Sequence, residues 1–226
     1  MHEWTTDVQE AKRIQEELRQ KVVLQKPKGW HIDSIAGIDL GYDKKTDLGF
    51  CSVLVFDFPS LQLQKTYNYY AKVSFPYIPG FLSFREAPLI IQCLNQLETM
   101  PDLLFFDGQG IAHPKRFGIA SHVGILLDIA SIGCAKSRLI GEYNEPEPKK
   151  GAFSELRDKN GEILGNVLRT RDNVKPVFIS PGHLLDVSAA TEISLACTTR
   201  YRIPEPTRLA DIAVKEFKNQ TLATLP

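Results

Sequence analysis

The 226-residue chain is 43% hydrophobic, enough to bury one large core, and a single domain over residues 1–226 is expected. Lys plus Arg equals Asp plus Glu at 27 each, which excludes a global basic field, so any nucleic-acid binding must rest on local patches. Cys51, Cys93, Cys134 and Cys197 are dispersed without CxxC or Cys/His spacing, a pattern that suggests neither a zinc site nor a disulfide framework and fits a reduced cytoplasm.

The N-terminal stretch MHEWTTDVQEAKRIQEELRQ is charged throughout and lacks an apolar leader core, and no segment reaches the ~20 apolar residues of a membrane span. A soluble, unprocessed, cytoplasmic monomer is expected. Val8, Ala11, Ile14, Leu18 and Val22 recur at helical spacing and predict an amphipathic helix from Asp7 to Gln25, its charges a solvated face. Three β-like runs follow, around HIDSIAGIDL, GFCSVLVFDF and LQLQKTYNYYAKVSF, and read as an antiparallel meander. The order then alternates: a helix over Phe81 to Leu97, strand LLFFD ending at Asp107, a helix near Val123 to Ile129, and strand SIGCAK, which implies parallel pairing. Tyr143 to Lys150 is a Pro- and charge-rich loop. Two β-like segments flank the turn signal DKNGE and predict a hairpin. Strand VKPVFIS, a helix from Asp186 to Cys197 and a last helix from Arg208 complete the chain. This is the strand and helix order of the ribonuclease H-like fold, an α/β mixed sheet with three antiparallel strands followed by parallel strands and flanked by helices. Fold order alone does not settle chemistry.

Four acids stand on four of these elements. Asp39 closes the apolar run IAGIDL and Asp107 closes LLFFD; if the two strands are neighbours, their carboxylates can converge on a hard divalent cation. Each alone also reads as a solvated strand-end Asp. Glu86, in the first turn of the long helix, and Asp211, one turn into the last, are equally explicable by the helix dipole. Phosphodiester hydrolysis, however, calls for clustered carboxylates around one or two Mg²⁺ ions, and four acids on four elements can supply such a cluster. His113, Lys115 and Arg116 lie on the Gly/Pro-framed loop GIAHPKRFG just after Asp107, where either a functional loop or a plain basic surface loop fits. Lys136 ends a mostly apolar strand. Its ammonium either emerges near the carboxylates, placed for a scissile phosphate, or simply snorkels into solvent.

The segments PYIPGFLSFRE (Pro76 to Glu86), FDGQGIAHPKRFGIASHVG (Phe106 to Gly124), SIGCAKSRL (Ser131 to Leu139) and PEPTRLAD (Pro204 to Asp211) resemble the motifs of the endonuclease V family, in the family's order and across nearly the whole chain. The resemblance implies hydrolysis of the second phosphodiester bond 3′ to deoxyinosine, leaving a 3′-hydroxyl and a 5′-phosphate. By motif, Asp39, Glu86, Asp107 and Asp211 become the acids that bind Mg²⁺, with Mn²⁺ as a substitute, and Lys136 and His113 lie close to the phosphate with Lys115 and Arg116 as further contacts. Tyr77, Ile78 and Pro79 become a wedge that fills the space left by a flipped nucleotide. Gly80, Leu82, Gly108, Gly118, Ile119 and Leu139 become the base pocket. Main-chain N–H groups there can accept the O6 of hypoxanthine where adenine presents an amino donor, and a tight wall excludes the 2-amino group of guanine.

Two positions depart from the family pattern. Gln109 stands where His is frequent, which bears on the pocket's rim, and Leu184 stands where a basic residue is common, which bears on a phosphate contact. Among rivals, GIDLG resembles the phosphate-binding strand of sugar kinases and chaperone ATPases, but Tyr42 and Asp43 follow where those proteins carry Thr or Ser, and the chain is too short for a second lobe. A damage-binding module that does not cut would not need all four acids. An endoribonuclease acting on inosine-containing RNA is the alternative within the enzyme class, since nothing in the motifs reveals a contact to a 2′-hydroxyl.

Overall fold

The computed structural model describes residues 2–225. Five helices surround one eight-stranded sheet of order β3-β2-β1-β4-β5-β8-β7-β6. β1 (Ser34–Asp43), β2 (Leu48–Asp57) and β3 (Leu63–Lys72) form the expected antiparallel meander. β4 (Leu103–Phe106) and β5 (Ala130–Ala135) extend it in parallel from β1. β8 (Val177–His183) then pairs antiparallel with β5, and the hairpin β6 (Phe153–Arg157) and β7 (Ile163–Leu168) closes that edge.

β4 shows why the sheet is covered on both faces. Its four residues are all buried; Leu104 and Phe106 belong to the cluster with α2 (Leu82–Leu94) and α3 (Ile119–Leu127), while Leu103 and Phe105 belong to the cluster with α4 (Val187–Ala196). Side chains alternate across a strand, so a continuous apolar run serves two cores. The last helix, α5 (Glu205–Thr224), packs Leu209, Ala210 and Ala213 on Leu54 and Phe56.

Several boundaries differ from the sequence reading. α1 is Val8–Arg19, capped by Asp7, whose carboxylate accepts from the Glu10 N–H at 2.8 Å, and it stops short of Gln25. Beyond it, Val23 is drawn to β8, its N–H meeting His183 Nδ1 at 3.2 Å and its carbonyl accepting from Leu184 N–H at 2.7 Å. α3 begins at Ile119, not Val123, because Gly118 acts as N-cap and small residues let the first turn bury itself. α5 begins at Glu205, not Arg208: Pro206 sits in its first turn, where the missing N–H would have no helical partner anyway.

The position of Asp39 is a second difference. β1 continues to Asp43, so Asp39 lies inside that strand and not at its end. It is β4 that is short: the parallel ladder stops at the pair Ile38 and Phe106, leaving Asp39 and Asp107 together just past it. The cluster thus forms where one neighbour of β1 ends and the other continues.

Candidate metal and phosphate site

Asp39, on β1, and Asp107, following β4, meet Asp211 on α5, and one carboxylate oxygen from each lies within 4.8 Å of the others. Bringing α5 to β1 depends on Gly37, two residues before Asp39 on the same face. A Cβ there would overlap the Pro206 carbonyl, so only glycine allows the helix start to lie on the strand. Asp211 then falls within reach of Asp39.

The charges show that the cluster suits a cation. Burial, reinforced by the neighbouring Asp107 carboxylate, pushes Asp39 up to about 7, and Asp211 adds to this. Lys136, at the exit of β5, contacts Asp107 and lies 3.9 Å from Asp211, and these partners hold its ammonium above the usual lysine range against the opposing effect of partial burial. Asp211 is also paired with Lys215 at 2.6 Å. Three oxygen donors, no sulfur or nitrogen, form a donor set suited to a hard divalent ion.

Glu86 is half-buried on α2, in its second turn and not its first, and stands outside that three-carboxylate group. Burial and then the charge of Asp39 push it up to about 8, with Arg85 opposing. It therefore senses the charge of Asp39 and Asp107 without joining their carboxylates.

The loop after Asp107 divides its basic residues. His113 is buried, which lowers its imidazole to about 4, and Nδ1 accepts from the Lys115 N–H at 3.2 Å, leaving Nε2 to carry the proton. Lys115 is exposed and, among the described residues, makes no salt bridge. Arg116 is different: in a left-handed backbone conformation, φ 56°, it is paired with Asp158 and lies 3.6 Å from Glu162, both at the β6–β7 turn. Its guanidinium braces the hairpin, an engagement that Lys115 does not share.

Tyr77 is 72% exposed, flanked by exposed Pro76 and Pro79, whereas Ile78 turns inward against the α1 cluster. Of the residues expected to form a base pocket, Gly118 and Gly108 permit close packing: a Cβ on Gly118 would overlap the Gln109 carbonyl, and one on Gly108 would press on Ile119 at 2.8 Å. Leu82 and Leu139 present exposed apolar surface at 38% and 54%, and Gly80 turns with φ +87°. Gln109 has a buried Oε1 without a partner among the described residues and Nε2 at 3.5 Å from the Ser137 carbonyl. Leu184 corrects an expectation. It follows His183, which pairs with Ser131 near the start of β5, whereas Lys136 leaves the other end, so a residue at 184 lies away from Lys136 and the acids beside it.

Three contributors escaped the sequence reading. Gly37 sits in an unremarkable apolar run, and Arg202 in a loop without a motif. Arg202 donates to the carbonyl of Lys136 at 2.8 Å and to those of Lys175 and Pro176 at 2.7 and 2.8 Å, fixing the end of β5 from which Lys136 projects. Gln15 has the same character; its neighbours on α1 gave only an amphipathic stripe.

Sheet order and acidic cluster together define the class, a ribonuclease H-like α/β protein with its carboxylates gathered where the parallel strands end. The family model for Endonuclease V matches residues 16–212. A curated Endonuclease V of Kosmotoga olearia is 45% identical over 222 residues, covering 98% of this chain and 97% of the relative. Among solved structures, Endonuclease V of Streptomyces avermitilis superposes with a TM-score of 0.92 at 38% identity, over 97% of this chain and 96% of that one. Endonuclease V of Ciona intestinalis, in complex with a 24mer DNA containing an inosine followed by a ribo-adenosine, superposes with a TM-score of 0.83 at 27% identity, over 95% and 98%. The chain belongs to the Endonuclease V family and is a nuclease.

Proposed function

We propose that this protein is a Mg²⁺-dependent endonuclease that recognises deoxyinosine in DNA and hydrolyses the second phosphodiester bond 3′ to it, initiating repair of deaminated adenine. The observation that carries the reading is the convergence of Asp39, Asp107 and Asp211 with Lys136 lodged against them. The Ciona relative's complex with inosine-containing DNA supports the substrate. Asp39, Asp107 and Asp211 would hold the ion, whose positive charge would favour ionisation of Glu86, the fourth acid, on α2. Such an ion would supply positive charge to offset that of the phosphate and would lower the pKa of a water enough for it to lose its proton near neutral pH and attack. Lys136, whose ammonium already lies among the carboxylates, meets the scissile phosphate as negative charge grows in the transition state. His113, neutral at physiological pH, donates from Nε2 to a phosphate oxygen, and Lys115 meets a flanking phosphate. Tyr77 enters the stack, and main-chain N–H groups around Gly80, Leu82, Gly108, Gly118, Ile119 and Leu139 receive the flipped base.

The test is nicking of one duplex carrying a single inosine against its adenine counterpart, with product ends mapped. Activity should vanish in EDTA and return with Mg²⁺ or Mn²⁺. Recovery with Zn²⁺ alone, or equal cutting of both duplexes, defeats the reading. A second reading, inosine-containing RNA as the preferred substrate, draws on the ribo-adenosine that follows the inosine in the Ciona complex. Matched DNA and RNA strands with one inosine decide between them by kcat/KM.

A further inference from the structure

Gln15 is buried on α1, 1% exposed, on a helix face otherwise packed through Ala11, Ile14 and Leu18 against Phe75, Phe84 and Phe117. Its Nε2 donates to the Gly80 carbonyl at 3.0 Å, and its Oε1 has no partner among the described residues. Gly80 closes the segment that carries Tyr77, turning with φ +87° into α2. At the segment's other end, Arg85 Nη1 donates to the Phe75 carbonyl at 2.7 Å while its guanidinium lies 4.7 Å from the centre of the Tyr42 ring. Between these two anchors Ile78 packs inward, its carbonyl accepting from Phe81 N–H at 3.0 Å, and Tyr77 projects outward.

A buried amide with an unmet acceptor is unfavourable, and an unbranched apolar side chain of the same length would pack at this position without that penalty. What the amide adds is direction: a fixed contact with a main-chain carbonyl 65 residues away in sequence. We propose that Gln15 is a positioning residue for Tyr77. By holding Gly80 it keeps the segment in the geometry from which the Tyr77 ring enters a duplex, which makes α1 part of the discrimination between double-stranded and single-stranded substrates. Ordering a recognition loop before binding removes that entropy loss from the binding step. The inference rests on the wedge reading of Tyr77 given above.

The experiment compares Gln15→Met, which keeps length and packing but has no donor, and Gln15→Glu, which sets a carboxylate against the carbonyl. Nicking kcat/KM is measured for each on an inosine duplex and on the same inosine strand alone, beside Tyr77→Ala and the double variant Gln15→Met with Tyr77→Ala. The duplex-to-single-strand ratio should fall about tenfold in Gln15→Met, within the range expected for a misplaced stacking ring, and further in Gln15→Glu. In the Tyr77→Ala background Gln15→Met should change nothing more. The ratio is taken on one preparation, so a reduced folded fraction cancels. Equal losses on both substrates, or additive effects of Gln15→Met and Tyr77→Ala, overturn the proposal. Failure of the functional reading is seen separately, in a parent protein that does not distinguish inosine from adenine.

Discussion

Asp107 occupies the first position beyond β4, in contact with Lys136 and within reach of Asp39 and Asp211. Asp107→Asn keeps the shape and removes one charge, so the ion is held weakly. Nicking should fall by several decades, since a bound ion contributes several kcal/mol to stabilising the transition state. Gel-shift affinity for the inosine duplex should persist, because the proposed wedge and pocket use other residues. The fold should persist too: the Asp107 charge is one of the causes that raise Asp39, and its removal relieves that repulsion. A folded Asp107→Asn that nicks near the parent rate eliminates the metal-site reading. His113 offers a second test at this scale. Burial keeps its imidazole neutral above about pH 5, so Nε2 acts as a neutral donor and its titration leaves no inflection in nicking rate between pH 6 and 8. An inflection present in the parent and abolished in His113→Gln would contradict this.

Among the elements, α5 is the one whose placement completes the cluster. Gly37→Ala forces the Pro206 backbone away from β1; since backbone cannot yield as a flexible side-chain end does, overpacking of about 1–3 kcal/mol is expected in urea unfolding, together with loss of nicking as Asp211 retreats. Gly41 is the control. It lies on the same strand and face, and a Cβ there would meet Val214 and Lys218 side-chain atoms at 3.7 and 3.8 Å, ordinary contact. Gly41→Ala should therefore fold and nick like the parent. Equal effects from both substitutions would show that the approach of α5 is not what matters.

For the molecule as a whole, the gathered acids make stability depend on pH in the absence of metal. Folding raises Asp39 from 3.8 to about 7 and Glu86 from 4.5 to about 8, in both cases chiefly through burial. The unfolded chain therefore releases these protons first. Their contribution is fully present below about pH 4, is lost as pH rises through the folded values, and leaves the metal-free protein less stable at pH 8 than at pH 6. A divalent ion bound by the folded state alone opposes this loss. Thermal unfolding in EDTA should thus show a falling midpoint from pH 6 to pH 8, with Mg²⁺ raising it more at pH 8. A Mg²⁺ effect that is largest at low pH would contradict the assignment of Asp39 as one of its ligands.

The meander, the alternating helices and strands, the hairpin at DKNGE and the three acids that the fold gathers, Asp39, Asp107 and Asp211, were legible in the sequence because each has a local cause: side-chain periodicity, turn chemistry, or a sequence motif. Asp39 and Asp107 could be paired in advance since both close apolar runs. Their meeting point could not, because it depends on β4 being shorter than β2, a property of two strands and not of either residue. Three-dimensional packing also decided that Arg116 faces Asp158, that Leu184 lies at the far end of β5 from Lys136, and that Gln15 supports a segment 65 residues away. The signals for Gly37, Arg202 and Gln15 are weak in sequence for the same reason. Each acts on a main-chain carbonyl, and carbonyls are the same at every position of the chain; only the fold brings a particular one within reach.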